Sequence, residues 1–385
     1  MKKLIAMLMA LVLCFGLVAC GGGSSDDADT ADTAAAFKIG CTGPLTGDAA
    51  IYGQAVKYGL EIAIEEVNAL GGIQLELQYE DDVADGETAL NAYNKLIDDG
   101  MQIFAGTVTS GAGQAVAPQA YEDQIFMLTP SASSPEVVEG KDNVFQVCFT
   151  DPNQGSASAT YIKENMGDKT IAVIYRNDDA YSQGIRDTFV AQAATEGLNV
   201  VYEGTFTKDT ATDFSVQLTA AQAAGADLLF LPIYYQPASV ILAQADAMGY
   251  APVFFGVDGM DGILTMEGFN TELAEGVMLL TPFSADAEDE LTKNFVAKYQ
   301  ALAGETPNQF AADAYDVIYV IYNALNEAGC TADMSYTEIC EALKSTIVNM
   351  SYTGLTGSDM TWAATGEVTK MPTAVIIENG VYVGA

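Results

Sequence analysis

The chain has no histidine. That absence excludes Ser-His-Asp and Cys-His catalysis and every histidine-ligated metal site. Acid–base work is left to Asp, Glu, Tyr or Lys. Basic residues are scarce too: 15 Lys and Arg stand against 52 Asp and Glu, a formal net charge of −37. Such an acidic surface repels a phosphate backbone, so no nucleic acid partner is expected. Neither G-x-x-x-x-G-K-[ST] nor G-x-G-x-x-G occurs, so the usual phosphate-binding loops are missing. No C-x-x-C occurs among the six cysteines, which removes the common zinc and redox patterns. A single tryptophan, Trp362, argues against a sugar site, although tyrosine can also stack on a ring. No cofactor and no metal is expected.

Long apolar runs are missing as well. The longest, Leu4 to Ala19, falls short of the roughly 20 residues that span a bilayer. It follows Lys2 and Lys3 and ends in Leu17-Val18-Ala19-Cys20, the pattern of a bacterial lipobox. Residues 1–19 are therefore expected to be a lipoprotein signal peptide, with Cys20 lipidated. Residues 20–36 are small, polar and acidic, the composition of a flexible spacer. Two acyl chains would tether the protein to the outer face of the bacterial membrane. Cys41, Cys148, Cys330 and Cys340 remain in the exported part, where oxidation is permitted, and Cys330 and Cys340 are near enough in sequence to pair.

Half of the 385 residues are hydrophobic, enough for a large core. From Phe37 onward, short apolar strands alternate with amphipathic helices. Strands are expected at 37–41, 75–79, 103–105 and 125–128, with helices at 52–70, 86–98 and 112–122. The alternation pauses at 144–151 and restarts. Strands follow at 171–175, 200–202, 228–231 and 253–255, with helices near 183–196, 214–224 and 238–248. Residues 288–344 read as helical with breaks near Gly304 and Gly329, and 371–382 return to strand. Repeated β-α-β order predicts an α/β fold of two doubly wound lobes, each on a parallel sheet.

Ligands of parallel α/β sheets bind beyond the carboxyl ends of the strands. One half places Ser110 and the Ser131-Ala132-Ser133 turn there, with Tyr52 at a helix start. The other half places Tyr181, Tyr234, Tyr235 and Asp258. An amino acid zwitterion needs such a division: donors for carboxylate, acceptors for ammonium, apolar surface for the side chain. Each residue also has a plainer reading. Ser110 and Ser133 could be helix N-caps, Tyr181 and Tyr235 packing residues, and Asp258 a turn former. Asp81-Asp82 and Asp178-Asp179 read as solvated loop charges rather than acid–base pairs.

Several segments together resemble the type I periplasmic binding proteins of branched-chain amino acid ABC transporters. They are G-C-T-G-P-L-T-G from Gly40, Y-G-Q-A-V-K-Y-G-L-E-I-A-I-E-E-V-N-A-L-G-G-I from Tyr52, Y-E-D-D from Tyr79, L-T-P-S-A-S-S-P-E from Leu128 and D-A-Y-S-Q-G from Asp179. The resemblance implies two lobes joined by a three-strand hinge, with residues 37–150 plus 283–355 in lobe 1 and 151–282 plus 356–385 in lobe 2. It implies that Ser110 and Ser133 bind an α-carboxylate, beside Ala132. The Ser131 carbonyl, Ser133 and Asp258 would hold an α-ammonium. Tyr52, Tyr181 and Tyr235 (or Tyr234) would shape the side-chain pocket. The family often has Glu where this chain has Asp258, and its small first-lobe disulfide has no counterpart here. The implied protein is a monomeric, non-enzymatic receptor that delivers an apolar amino acid to an ABC permease. Two other readings stay open: the same fold binding an aromatic acid, amide or short peptide, and a hydrolase working through Asp or Glu.

Overall fold

A computed structural model describes residues 35–385. The expected signal peptide, Cys20 and nearly all of the spacer lie outside the described residues. The first run of elements is β1 (Ala36–Gly43), α1 (Ala50–Leu70), β2 (Gln74–Asp81), α2 (Gly86–Asp98), β3 (Ile103–Phe104), α3 (Ser110–Glu122), β4 (Phe126–Thr129), α4 (Pro135–Val138) and β5 (Val144–Gln146). Its five strands form one sheet in the order β2-β1-β3-β4-β5, and every neighbouring pair is parallel.

The second run is α5 (Asp151–Met166), β6 (Thr170–Arg176), α6 (Ala180–Glu196), β7 (Asn199–Phe206), α7 (Ser215–Ala223), β8 (Leu228–Leu231), α8 (Tyr235–Ala247), β9 (Val253–Gly256) and β10 (Met278–Thr281). Three helices, α9 (Glu290–Ala303), α10 (Gln309–Ala328) and α11 (Tyr336–Ile347), then return to the first sheet, where α9 and α10 pack on α1 and α11 on α10 and β4. A two-stranded ribbon, β11 (Ser351–Tyr352) with β12 (Met360–Thr361), precedes β13 (Thr373–Glu378) and β14 (Val381–Gly384). The second sheet has the order β14-β13-β10-β9-β8-β6-β7. Its β6–β10 core is parallel, but β13 and β14 join antiparallel, so this sheet is mixed where a parallel one is expected. A two-residue turn at Asn379-Gly380 links β13 to β14, which permits only antiparallel pairing.

The chain crosses between the sheets three times: after β5, after β10 and after β12. The third crossing runs beside the start of the first. Trp362 Nε1 donates to the Gln146 carbonyl at 2.8 Å, and Gln146 N donates to the Gly366 carbonyl at 2.9 Å. No helix among the described residues is long and apolar enough to cross a membrane.

The expected breaks in the helical region are real. Gly304 and Gly329 cap α9 and α10 in the left-handed conformation, at φ 80° and 67°. Besides the single-turn α4, helix α5 goes unseen by hydrophobic periodicity. Its buried face is Gln154, Gly155, Ser158, Ala159 and Ile162, too small and polar to stand out. Close packing on α6 explains that composition, because a Cβ at Gly155 would lie 2.0 Å from Thr188 Oγ1 and 2.3 Å from the Ile185 carbonyl oxygen. The Thr150-Asp151-Pro152 start is the signal that could have revealed it: Thr150 caps the helix and Pro152 sits in the first turn.

The same logic governs the α1–α10 crossing, where a Cβ at Gly59 would lie 2.1 Å from the Ala311 carbonyl oxygen. Alanine is worth about 1 kcal/mol over glycine inside a helix, while overpacking costs about 1–3 kcal/mol. Gly59→Ala should therefore lower stability in urea unfolding, by up to about 2 kcal/mol. A stabilised variant would mean that the two helices move apart freely.

All four described cysteines are buried free thiols, so the contemplated Cys330–Cys340 pair is not formed.

Candidate ligand-binding cleft

Both sheets change strand order between two neighbours, β1/β3 in one and β6/β8 in the other. Loops beyond the carboxyl ends of those strands diverge and leave a crevice. Six of the expected residues converge there, without Ala132, Ser133 and Tyr235. Tyr52, Ser110, Ser131, Tyr181, Tyr234 and Asp258 line one small enclosed space of about 10 Å³, together with Val108, Thr109, Gly259 and Phe310. That is room for roughly one water. A larger cavity of about 460 Å³ adjoins it and shares Thr109 and Tyr234.

One wall of the small space is a donor surface. Ser110 is the first residue of α3, and its N-cap, Thr109, makes no side-chain capping bond. The first amides of α3 therefore point outward at the positive end of the helix dipole. Ser110 Oγ accepts from Ser134 N at 3.2 Å, which orders the two loops against each other and replaces the capping role considered for it. Ser131 Oγ donates to the Val108 carbonyl at 2.7 Å. No hydrogen bond among the described residues engages the Ser131 carbonyl.

Ser133 is fully buried and its hydroxyl has no hydrogen-bond partner, so it is not a cap either. Its backbone carbonyl accepts from Asp151 N at 3.1 Å. Ala132 is not on the wall. Its methyl joins the core under α3, and its carbonyl accepts from Gln146 Nε2 at 2.6 Å. Successive residues of an extended turn point opposite ways, so flanking a site residue does not place a side chain in the site.

The facing wall holds a carboxylate. Asp258 is 3% exposed. Its Oδ1 accepts from Tyr181 Oη at 2.5 Å and its Oδ2 from Gln154 Nε2 at 3.0 Å. Tyr181 Oη also accepts from Gly259 N at 2.9 Å. Burial, helped by the nearby Asp313 charge, pushes the Asp258 carboxyl up to about 7 against the pull of Tyr181 and Gln154. Asp258 is thus a held carboxylate, not merely a turn former, and Tyr181 is more than packing.

Tyr52 joins the walls. Its hydroxyl donates to the Gly259 carbonyl and accepts from Tyr235 N at 3.1 Å. Its ring meets Tyr234 and Tyr235 edge-on at 5.4 and 5.0 Å, and Phe310 at 4.3 Å. Of the alternative tyrosines, Tyr234 lines the small space and Tyr235 stands behind Tyr52. Burial pushes Tyr52, Tyr181 and Tyr234 well above the ordinary phenol value, so all three remain protonated.

Residue-by-residue reading of the sequence passed over Asp151, Gln154, Thr109 and Phe310. Asp151 is fully buried in the first turn of α5, and neither carboxylate oxygen has a hydrogen-bond partner. Burial holds its carboxyl well above the usual range, and the Ser133 hydroxyl beside it, though not bonded, opposes that. The cap pattern at Thr150 could have drawn attention to it. Nothing local marks Phe310, which arrives from the start of α10. The Asp81-Asp82 pair is also not wholly solvated: Asp82 is fully buried, accepts from Ala84 N at 2.9 Å, and burial pushes it up to about 6.

Two lobes with apposed strand ends, donors on one wall and a held carboxylate on the other, invite comparison with known proteins. Residues 36–377 match the family described as periplasmic binding protein. The chain belongs to this family. Among relatives of this periplasmic binding protein, the Leu/Ile/Val-binding protein homolog 3 of Brucella melitensis is 32% identical over 305 residues, covering 77% of this chain and 80% of the relative. The leucine-binding protein LivK of Thermotoga maritima superposes with a TM-score of 0.81 at 28% identity, over 91% of this chain and 97% of that one. The LivJ protein of Streptococcus pneumoniae, solved with isoleucine, gives 0.80 at 27% identity, over 91% and 100%. The type I periplasmic binding protein fold is thereby established.

Proposed function

We propose that this protein is the extracytoplasmic solute-binding component of an ABC importer, and that its cleft binds the zwitterion of an amino acid. The observation that carries the reading is the pairing of opposite chemistries across the small enclosed space. Free α3 amides and the Ser110 hydroxyl face a buried Asp258 clamped by Tyr181 and Gln154. Leucine, isoleucine and valine are the first candidates, because the relatives carry those names. In this reading Ser110 and Ser133 take the carboxylate, and the Ser131 carbonyl, Asp258 and Asp151 take the ammonium. Tyr52, Tyr181 and Tyr234 enclose the side chain, supported by Tyr235.

Residues 37–150 plus 283–355 and 151–282 plus 356–385 would move as two lobes about the three crossings. In this reading the ligand leaves unchanged for the permease. A lipid on Cys20 would hold a monomeric receptor near that permease, with the 20–36 spacer as the tether.

Calorimetric titration with L-leucine, L-isoleucine and L-valine tests the reading. It also has a pH signature. In the empty cleft Asp258 titrates at about 7. An ammonium beside it favours the charged form, so binding below pH 7 expels a proton. Affinity should be full above pH 7 and fall as pH drops, reaching about a hundredfold loss by pH 5 for a single such group. Absence of heat with all three amino acids would overturn the reading. Binding that is flat from pH 8 to 5 would remove Asp258 as the ammonium partner.

A further inference from the structure

The cleft does not end at the small enclosed space. The adjoining cavity of about 460 Å³ falls within the range of small-molecule sites. It runs outward from Thr109 and Tyr234, so a ligand seated on Ser110 and Asp258 would extend into it. Thr109 is 5% exposed, and its hydroxyl has no hydrogen-bond partner.

The charge on its walls is uneven in availability. Arg176 and Lys208 both line it, in a chain with only 15 basic residues. Arg176 donates Nε to Asp178 at 2.6 Å, and no hydrogen bond among the described residues engages its two Nη groups. Lys208 binds Asp178 through its backbone amide, at 3.1 Å to Oδ2, which leaves the ammonium out of that contact. Two of the wall's carboxylates are committed as helix caps. Asp85 accepts from Thr88 N at 2.9 Å at the start of α2, and Asp179 accepts from Ser182 N at 3.1 Å at the start of α6. Only Asp48 is without such a role. The α3 and α8 helices, by contrast, both reach this cavity with N-termini that carry no side-chain cap. The Arg176 Nη groups, the Lys208 ammonium and these helix N-termini are the free donors on a wall whose three carboxylates keep their charge.

We propose that the cavity beyond Tyr234 is a second subsite of the cleft, which receives the distal carboxylate of a dicarboxylic α-amino acid on Arg176 and Lys208. The inference rests on the amino-acid reading above and names the side-chain class that the cleft accommodates beyond small aliphatic ones. The α-carboxylate and α-ammonium stay where that reading puts them. The side chain passes Tyr234, and its terminal carboxylate meets the guanidinium fork, whose planar geometry suits two oxygens.

The test is calorimetry on the full chain with L-leucine, L-glutamate and L-2-aminoadipate, for wild type, Arg176→Met and Lys208→Met. Wild type is expected to bind at least one dicarboxylic amino acid as tightly as leucine. The affinity ratio of that ligand to leucine should fall about tenfold or more in Arg176→Met, and less in Lys208→Met. Lys208 is exposed in a short turn, so its variant keeps the test open if Arg176→Met misfolds. Leucine binding without either dicarboxylic ligand would overturn the subsite and leave the amino-acid reading standing. An unchanged ratio in both variants would also overturn it. Failure of all three ligands would instead strike the amino-acid reading itself.

Discussion

Asp258→Asn should weaken amino acid binding by about 2–5 kcal/mol, the usual cost of removing one partner of a buried charge pair. A micromolar ligand is held by about 8 kcal/mol, so the variant should bind with a Kd between about tens of micromolar and a few millimolar. The substitution keeps the shape and one acceptor for Tyr181, whose bond to Asp258 is 2.5 Å. Its amide can still pair with Gln154 if that side chain turns over, so the loop should stay in place. What is lost is the negative charge opposite the α3 amides. Burial already makes that charge costly to hold, as the carboxyl value of about 7 shows. A ligand ammonium restores the balance, which is why binding and ionisation should be coupled. Calorimetry on a variant with unchanged secondary structure decides the matter. Wild-type affinity would remove Asp258 from the ammonium site.

The second large effect concerns stability. Lys370 is buried, and its Nζ donates to Asp313 Oδ1 and to Thr356 Oγ1, both at 2.6 Å. Thr356 also donates to Asp316 Oδ2 at 2.6 Å, and Asp316 accepts from the Leu355 and Thr356 amides at 2.9 Å each. Asp313 and Asp316 belong to α10, while Leu355 and Thr356 belong to the β11–β12 loop and Lys370 to the third crossing between the sheets. The network therefore fastens that crossing to the helix packed on α1. Removing the lysine alone leaves the Asp313 carboxyl buried without its cation. Burial already pushes that carboxyl up, and Lys370 is what opposes the push. Lys370→Met should cost about 3–5 kcal/mol in urea unfolding of the ligand-free protein. Adding Asp313→Leu should recover most of it, because two apolar groups need no mutual neutralisation. A loss under about 1 kcal/mol for the single variant would show that water reaches the pair.

Local pattern carried much of the architecture. The helices at Gly86–Asp98 and Ala50–Leu70 announce themselves through one apolar stripe and end at turn residues, which needs only the 3.6-residue period. Strand β8, Leu228–Leu231, is a continuous apolar run because both faces of a central parallel strand are covered. Helix α5 escaped because its buried face meets another helix too closely for large side chains. The antiparallel β13–β14 ribbon read correctly as strand, but its pairing partner, β10, lies about a hundred residues away.

Sequence alone determined the α/β alternation, the acidic surface, the lack of histidine chemistry, and which residue types stand at the strand ends. These are local or compositional properties, set by period, charge and side-chain type. The tertiary structure decided the rest. It placed Tyr234 on the small enclosed space and Tyr235 behind Tyr52, turned Ala132 into the core, buried Asp151 without a partner, and brought Phe310 to the cleft. It also raised Asp258 and paired Lys370 with Asp313. Burial and electrostatic environment depend on which distant segments come to lie against a residue, and no local pattern encodes that.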